Sequence, residues 1–495
     1  MVLIVITALL LSSIIYLYIG FSLGRYNKGI GDLFPVIFGK HAKVNTVGEF
    51  STSTVATTVS LATIIIAYFE LAGYFGIFLL WTAITTAIGM LIVSIAVKTI
   101  WKKMSVYDHR PTMHEFLGVE FNSKTVSLVA SACTSIGFLL IFATELIVGS
   151  RFLAKFIPEI PEWITVLFLS GVGFIYTLFG GFRAVIKTDQ LQMKLIWGLI
   201  IILSGYYIYY IFKNGGLQIS LSKVPDNILN FSNRDGLIVF LIGIAIMNIP
   251  THISNMSIWQ RISGAQQIET VVKGFKRSVF TLFASWTLLS LLACFAYMIV
   301  QPENSQNLLS DLLISISSSF VGKFVLFFVV LGLYGAMLST ASTNLIVVTH
   351  TISEDIVAKF NKSTVLERIK SKRDFNISRI ILILSALVAV FLVVGLKYLG
   401  FSIADLVFAI YGGALALFPL IILALYNKRN LLKKISLYAT IAVISGFSAG
   451  WGSAIYGKII GNGNLIFLSP TISISISFII LLFGLIIQKN RIRKI

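Results

Sequence analysis

Between Gly335 and Thr343 the chain reads Gly-Ala-Met-Leu-Ser-Thr-Ala-Ser-Thr, inside a segment otherwise apolar enough to cross a bilayer. Ser339, Thr340, Ser342 and Thr343 each bring a hydroxyl. A hydroxyl in hydrocarbon must find a partner or it costs free energy. Small residues alone would serve close helix packing, but two adjacent hydroxyl pairs exceed what packing needs. Their oxygens are ligands of the kind a hard monovalent cation such as sodium takes.

A second hydroxyl-rich stretch lies early in the chain. Residues 50–71 make a poor continuous helix, because Thr57, Thr58, Ser60 and Thr63 interrupt the apolar pattern. A third irregular segment, 245–261, contains Pro250 followed by Thr251, His252, Ser254 and Asn255. Proline lacks a backbone donor and clashes with the preceding turn, so the helix is expected to be interrupted there. Helices broken at mid-membrane are a device for binding ions and solutes.

The elements that carry these stretches follow from composition. Of 495 residues, 57% are hydrophobic and only 12% charged, and mean hydropathy is +0.92. A soluble domain carries about 25% charged residues. The chain therefore reads as an all-α integral membrane protein with about thirteen apolar spans of some 20 residues each. The first apolar run has neither a basic leader nor a small-residue cleavage motif, and reads as a retained span.

The net charge of +19 does not indicate nucleic acid. Lys and Arg fall mostly in alternate loops: Lys98, Lys102 and Lys103, then Arg183 and Lys187, then Lys273, Lys276 and Arg277, then the basic 354–379 connection, then Lys428 to Lys434. This positive-inside pattern puts the N-terminus outside and the C-terminus in the cytoplasm. A multi-pass plasma-membrane location is expected, with the lipid bilayer as partner and no obligate protein partner evident.

The two interrupted spans are separated by four others. The spacing suggests two inverted five-helix repeats, with a binding site where the broken helices meet. The expected organisation is an accessory helix and cytoplasmic loop over 1–49, a first repeat over 50–215, a second over 225–426, and two accessory helices with a tail over 427–495.

Three local sequences carry a family resemblance. Gly180-Gly181-Phe-Arg183-Ala-Val-Ile-Lys187-Thr188-Asp189-Gln-Leu-Gln192 resembles the signature of the sodium:solute symporter family. Ala336 to Ser342, followed by Glu354-Asp355-Ile356, resembles that family's ninth span, and Trp259-Gln260-Arg261 the end of its seventh. The resemblance covers nearly the whole chain. It implies a LeuT-like core that couples inward sodium movement to uptake of a small organic solute.

It also implies ligands. One sodium ion, the only cofactor-like species expected, would be bound by carbonyls of Ala56, Val59 and Ala336 and by hydroxyls of Ser339 and Thr340. If the helix is unwound there, the carbonyls of Ala56 and Val59 turn out of the hydrogen-bond ladder. A second sodium would map to Asp189, Ser342 and Thr343, although Asp189 read simply is a helix cap. Arg261 is expected at the inner gate, with Glu354 and Asp355 as candidate partners.

Expected solute contacts are Ser60 and Thr63 at the first break and Asn248, Thr251, His252 and Asn255 at the second. Tyr68, Phe69 and Tyr74 are candidates to close the site from outside. Glu70 and Glu145 are unexpected carboxylates in predicted spans, and such residues are functional by default. In the family's sialic-acid transporters an arginine of the third core helix meets the solute carboxylate. The corresponding span here has Glu145 and no arginine before Arg151. Both glutamates are expected at the outer vestibule, which favours an amino-bearing solute over a sugar or vitamin.

Proton coupling would want a titratable group at the ion site, which Ser339 and Thr340 do not supply. An intramembrane enzyme would need convergent acid, base or nucleophile residues. A sensor built on a transporter core would be expected to bring a signalling domain.

Overall fold

The computed structural model describes residues 1–25, 27–36, 44–231, 235–360, 365–369 and 371–492. Residues 361–364 and 370 of the basic 354–379 connection therefore lie outside the described residues. The described chain is helical, and its β pairing is a single isolated bridge between Val44 and Ala265. Ten of its helical segments are long and apolar enough to cross a membrane, making this an all-α, multi-spanning membrane protein.

In chain order the main helices are α1 Val2–Gly24, α2 Val47–Ala56, α3 Ala67–Phe75, α4 Leu80–Met104, α5 Lys124–Ala154 and α6 Glu162–Lys213. They continue with α7 Leu237–Ser254, α8 Met256–Gly264, α9 Ile268–Phe295, α10 Phe320–Thr351 and α11 Lys372–Leu399. The last are α12 Ile403–Ala414, α13 Phe418–Tyr426, α14 Ser436–Ile459 and α15 Ser469–Ile492. Hydroxyl caps set many of the starts. Thr46 accepts from the Glu49 amide, Ser123 from Val126, Ser319 from Gly322 and Ser402 from Asp405.

Two segments exceed 40 residues, against the roughly 20 that one crossing needs. Leu61–Met104 runs 44 residues, with a turn at Gly76, where φ is +50°. α6 runs 52 residues, with non-helical backbone at Gly181, φ +59°. An L residue is strained there, and a Cβ would also come within 2.9 Å of Leu33 Cα. The double glycine of the signature is thus where α6 bends.

α10 is the central helix. It packs along α6 and against α5, α1 and α11. From Val329 to Thr351 its side chains are continuously buried, so this stretch is lined by protein rather than lipid.

Ion pairs bind the basic loops to one another. Glu49 of α2 accepts from Arg183 at 2.9 Å and Lys187 at 2.6 Å. Glu120 accepts from Lys103 at 2.9 Å and Arg429 at 2.8 Å. These are loops assigned to one membrane face by their charge. On loops assigned to the opposite face, Lys397 donates to Glu162 at 2.6 Å.

Candidate functional site

The first break is sharp. α2 ends at Ala56, residues 57–60 are non-helical, and a π-helical stretch Leu61–Ile66 leads into α3. Thr57 and Thr58 turn the chain. Thr58 Oγ1 donates to the Val55 carbonyl at 2.7 Å, while Ser60 Oγ accepts from the Thr63 amide at 2.9 Å. Ser60 is therefore a helix cap placed inside the protein, 2% exposed.

The second break differs from expectation. Pro250 lies within α7, and the helix ends four residues later at Ser254, followed by Asn255 with extended backbone between α7 and α8. Pro250 removes one donor, but the chain turns where side chains satisfy the freed groups. Asn255 Oδ1 accepts from the Ser257 amide at 2.8 Å, and the Trp259 indole donates to the Ile253 carbonyl at 2.9 Å.

A cavity lies where the two breaks meet. Thr63, Asn248, Thr251, His252 and Asn255 line it, together with Tyr68. Two expected contacts point elsewhere in their bonding. Asn248 donates to Thr85 Oγ1 at 3.1 Å, and Thr251 to the Met247 carbonyl at 2.5 Å. His252 shares a 2.9 Å bond between Nε2 and Thr86 Oγ1, while its Nδ1 has no partner among the described residues. Thr86, Trp286 and Tyr411 also line the cavity. They sit in long apolar spans, where only the adjacent Thr85–Thr86 pair could have drawn attention.

Phe69 is buried, whereas Tyr74 is 57% exposed and lies on a second cleft with Glu70. Glu70 accepts weakly from Gln306 at 3.3 Å and the Ala404 amide at 3.4 Å. Glu145 is not at the vestibule. It is fully buried behind the first break, where it accepts from Ser60 Oγ and, at 3.3 Å, from the Ala62 amide. Ser60 is likewise turned away from the cavity toward Glu145. Arg151, the next arginine along α5, is exposed.

The hydroxyls of α10 divide by what they bond. A helix ordinarily absorbs a membrane hydroxyl by donation to its own preceding turn. Thr349 does this with Leu345, as Thr144 does with Leu140 in α5. Ser342 follows the rule, donating to the Ser339 carbonyl at 3.3 Å. Ser339 does not: it donates to Asp189 at 2.6 Å. Thr340 Oγ1 is buried with no partner among the described residues. The orphaned Thr340 oxygen, on a helix that packs against both α2 and the π-helical stretch, fits a small cation.

Asp189 is not a helix cap. It lies within α6, eight residues past the Gly181 bend, and is fully buried. Ser53 donates to it at 2.5 Å, Ser339 at 2.6 Å and Arg261 at 3.1 Å. The same Arg261 nitrogen lies 3.2 Å from Thr343 Oγ1, and its Nε donates to Ser53 at 2.9 Å. The expected partners of Arg261 are engaged elsewhere. Glu354 accepts from Arg368 at 2.6 Å, and Asp355 is held by Thr112 at 2.5 Å and His114 at 2.9 Å. The guanidinium thus stands between two of the three expected ligands of a second sodium. Sequence spacing gave no signal for this pairing, nor for Ser53.

The charged cluster outside the spans is tuned by its neighbours. Burial of the Glu49 carboxyl would raise its pKa, but hydrogen bonds from Arg183 and Lys187 outweigh that and lower it to about 2. His109 bridges Asp108 and Glu115 at 2.6 and 2.9 Å. Its partial burial would lower its pKa, but these carboxylates raise it to about 9.

Comparison with known proteins supplies the context. The model of the sodium:solute symporter family matches residues 49–433. The sodium/pantothenate symporter of Haemophilus influenzae is 28% identical over 139 residues, 27% of this chain and 28% of that protein. The match thus spans little more than a quarter of that curated relative. A solved structure of a Na+-coupled sialic acid symporter, substrate-bound and outward-open, superposes with a TM-score of 0.71 at 16% identity, covering 95% of this chain and 97% of that one. Mhp1, a nucleobase-cation-symport-1 family transporter, does so with a TM-score of 0.54 at 10% identity, covering 92% and 94%. The fold is that of the LeuT-like symporters. Since the family match takes in both broken helices, α6 and α10, the chain belongs to the sodium:solute symporter family.

Proposed function

We propose that this protein is a secondary active transporter, not an enzyme, coupling inward sodium movement to uptake of a small organic solute by alternating access. The observation that carries the reading is the family match over residues 49–433, which contains both breaks and the cavity between them. Sodium would bind at the first break, to carbonyls of Ala56, Val59 and Ala336 and to Ser339 and Thr340. The orphaned Thr340 oxygen and the non-helical 57–60 backbone support that placement. A site of neutral dipoles holds a monovalent ion weakly enough to release it, whereas calcium or magnesium would ordinarily want carboxylates.

A second sodium at Asp189, Ser342 and Thr343 would require Arg261 to leave Asp189. With Arg261 in place, one sodium per cycle is the proposed stoichiometry.

The chain would cross a plasma membrane thirteen times. The count follows from ten long apolar segments if Leu61–Met104 and α6 each cross twice and α14 also spans. Two five-helix repeats over 50–215 and 225–426 would form the core, flanked by 1–49 and 427–495. The alternation of basic loops puts the N-terminus outside and the C-terminus in the cytoplasm.

Among the described residues lining the cavity there is no Asp, Glu, Lys or Arg. An amine preference expected from Glu145 loses its support, because that carboxylate is engaged by the first break. An uncharged polar solute, such as a sugar or polyol, fits better.

The test is uptake into proteoliposomes across solute classes, driven by a sodium gradient or by a pH jump without sodium. Sodium-driven accumulation is expected. Full uptake on the pH jump alone would replace sodium by protons as the coupling ion.

A further inference from the structure

The first turn of a helix carries backbone donors without intrahelical partners. In transporters with broken helices, such half-helix N-termini point at anionic groups of the solute. Here the half-helix after the first break starts at Leu61 and runs without interruption through the π-helical stretch into α3, ending at Phe75. Its start is already taken. The Thr63 amide donates to Ser60 Oγ at 2.9 Å, Ser60 Oγ in turn donates to Glu145 Oε1, and the Ala62 amide donates to Glu145 Oε2 at 3.3 Å. Ser60 and Glu145 are 2% and 0% exposed. The Ser60 hydroxyl and the Ala62 amide both donate to the carboxyl group, and the Thr63 amide donates to that hydroxyl. Thr63, whose amide donates to Ser60 Oγ, lines the cavity.

We propose that the Glu145 carboxyl group is the resident occupant of the donors at the first break. It fills the place that such a break otherwise offers to a solute carboxylate, and so selects against anionic solutes. A solute carboxylate brought to the same donors would find them occupied. The inference rests on the reading that the cavity between the breaks holds the solute, and it makes Glu145 a specificity determinant that acts without touching that solute.

The test uses the purified full-length protein in detergent and follows thermal unfolding in sodium chloride, sodium formate and sodium acetate of equal ionic strength. Glu145→Ala is expected to unfold at lower temperature than wild type in chloride. Formate or acetate should restore at least half of that loss by entering the vacated place. Glu145→Gln fills the space and should respond to these anions no more than wild type does. An equal response of all three proteins, or no loss in Glu145→Ala, overturns the proposal.

If Glu145→Ala does not fold, the wild-type protein decides. Sodium-dependent protection by polyols, sugars or amines but by no monocarboxylate supports the inference, and protection by a monocarboxylate overturns it. Replacing sodium by choline in the wild-type scan tests the coupling separately. A midpoint indifferent to sodium would count against symport while leaving the carboxylate rescue to report on Glu145.

Discussion

The Arg261 guanidinium lies 3.1 Å from the Asp189 carboxylate, and both side chains are fully buried. The pair joins α8 to α6, and Ser53 of α2 bonds to both members. Three helices around the two breaks thus share one charge pair. Removing one member of a buried pair strands the other charge and costs about 3–5 kcal/mol. Arg261→Ala should therefore be strongly destabilised, and Arg261→Ala with Asp189→Asn much less so, as read from thermal midpoints in detergent. Arg261→Gln should also raise the sodium Hill coefficient above the wild-type value, because it frees Asp189 and Thr343 for an ion. A Hill coefficient unchanged in a folded Arg261→Gln protein would show that the guanidinium does not stand in for a cation.

Glu49 ties the start of α2 to the chain just past the Gly181 bend, through Arg183 and Lys187. Its pKa is lowered to about 2 in the folded protein, from an unfolded value near 4.3. The clamp's contribution is therefore full above the unfolded value and is lost as pH falls through the folded one. Between about pH 4.5 and 2, wild-type thermal stability should fall more steeply than that of Glu49→Gln, which has no such carboxylate to protonate. Parallel pH profiles would show that the clamp adds nothing to folding.

Local chemistry made much of this site legible. The hydroxyl run before Thr63 marks the first break because threonines and serines bond to nearby backbone in place of the helix ladder. The Gly180–Gly181 pair marks the bend because only glycine takes the backbone found at 181. The second break was displaced from Pro250 to Asn255, since proline removes one donor while the turn forms where capping groups are available. The pairing of Asp189 with Arg261, 72 positions apart, depends on how α6, α8 and α10 converge, and no local pattern encodes that. The same holds for Glu145. Its burial and its aim at Ser60 are properties of how α5 meets the first break.

Close approach at Gly89 shapes the cavity wall. A Cβ there would fall 2.6 Å from the Asn248 carbonyl oxygen and 2.7 Å from that of Ile249. These are backbone atoms of α7 beside Pro250 and cannot swing aside. Gly89→Ala should cost about 1–3 kcal/mol by overpacking and weaken solute binding by shifting Asn248 and His252. Gly198→Ala is the control, since nothing lies within 4 Å of its Cβ position in α6. There the gain in helix propensity, about 0.5–1 kcal/mol, should leave stability equal or higher. Thermal midpoints and solute titrations on the two variants separate contact from propensity.

Thr340 and Ser342 are two residues apart on α10, yet their oxygens have different fates. Ser342 donates to its own helix at the Ser339 carbonyl, while Thr340 Oγ1 is buried without a partner among the described residues. If the Thr340 oxygen is a sodium ligand, its loss removes a charge–dipole contact of about 1.5–3 kcal/mol. At about 1.4 kcal/mol per factor of ten, Thr340→Ala should raise the half-saturating sodium concentration for uptake about tenfold or more. Thr340→Ser keeps the oxygen and should stay near wild type, as should Ser342→Ala, whose hydroxyl is already absorbed by the helix. Ser339→Ala is a poorer probe, because it also removes a donor from Asp189. Equal sodium dependence in Thr340→Ala and Ser342→Ala would place the ion elsewhere.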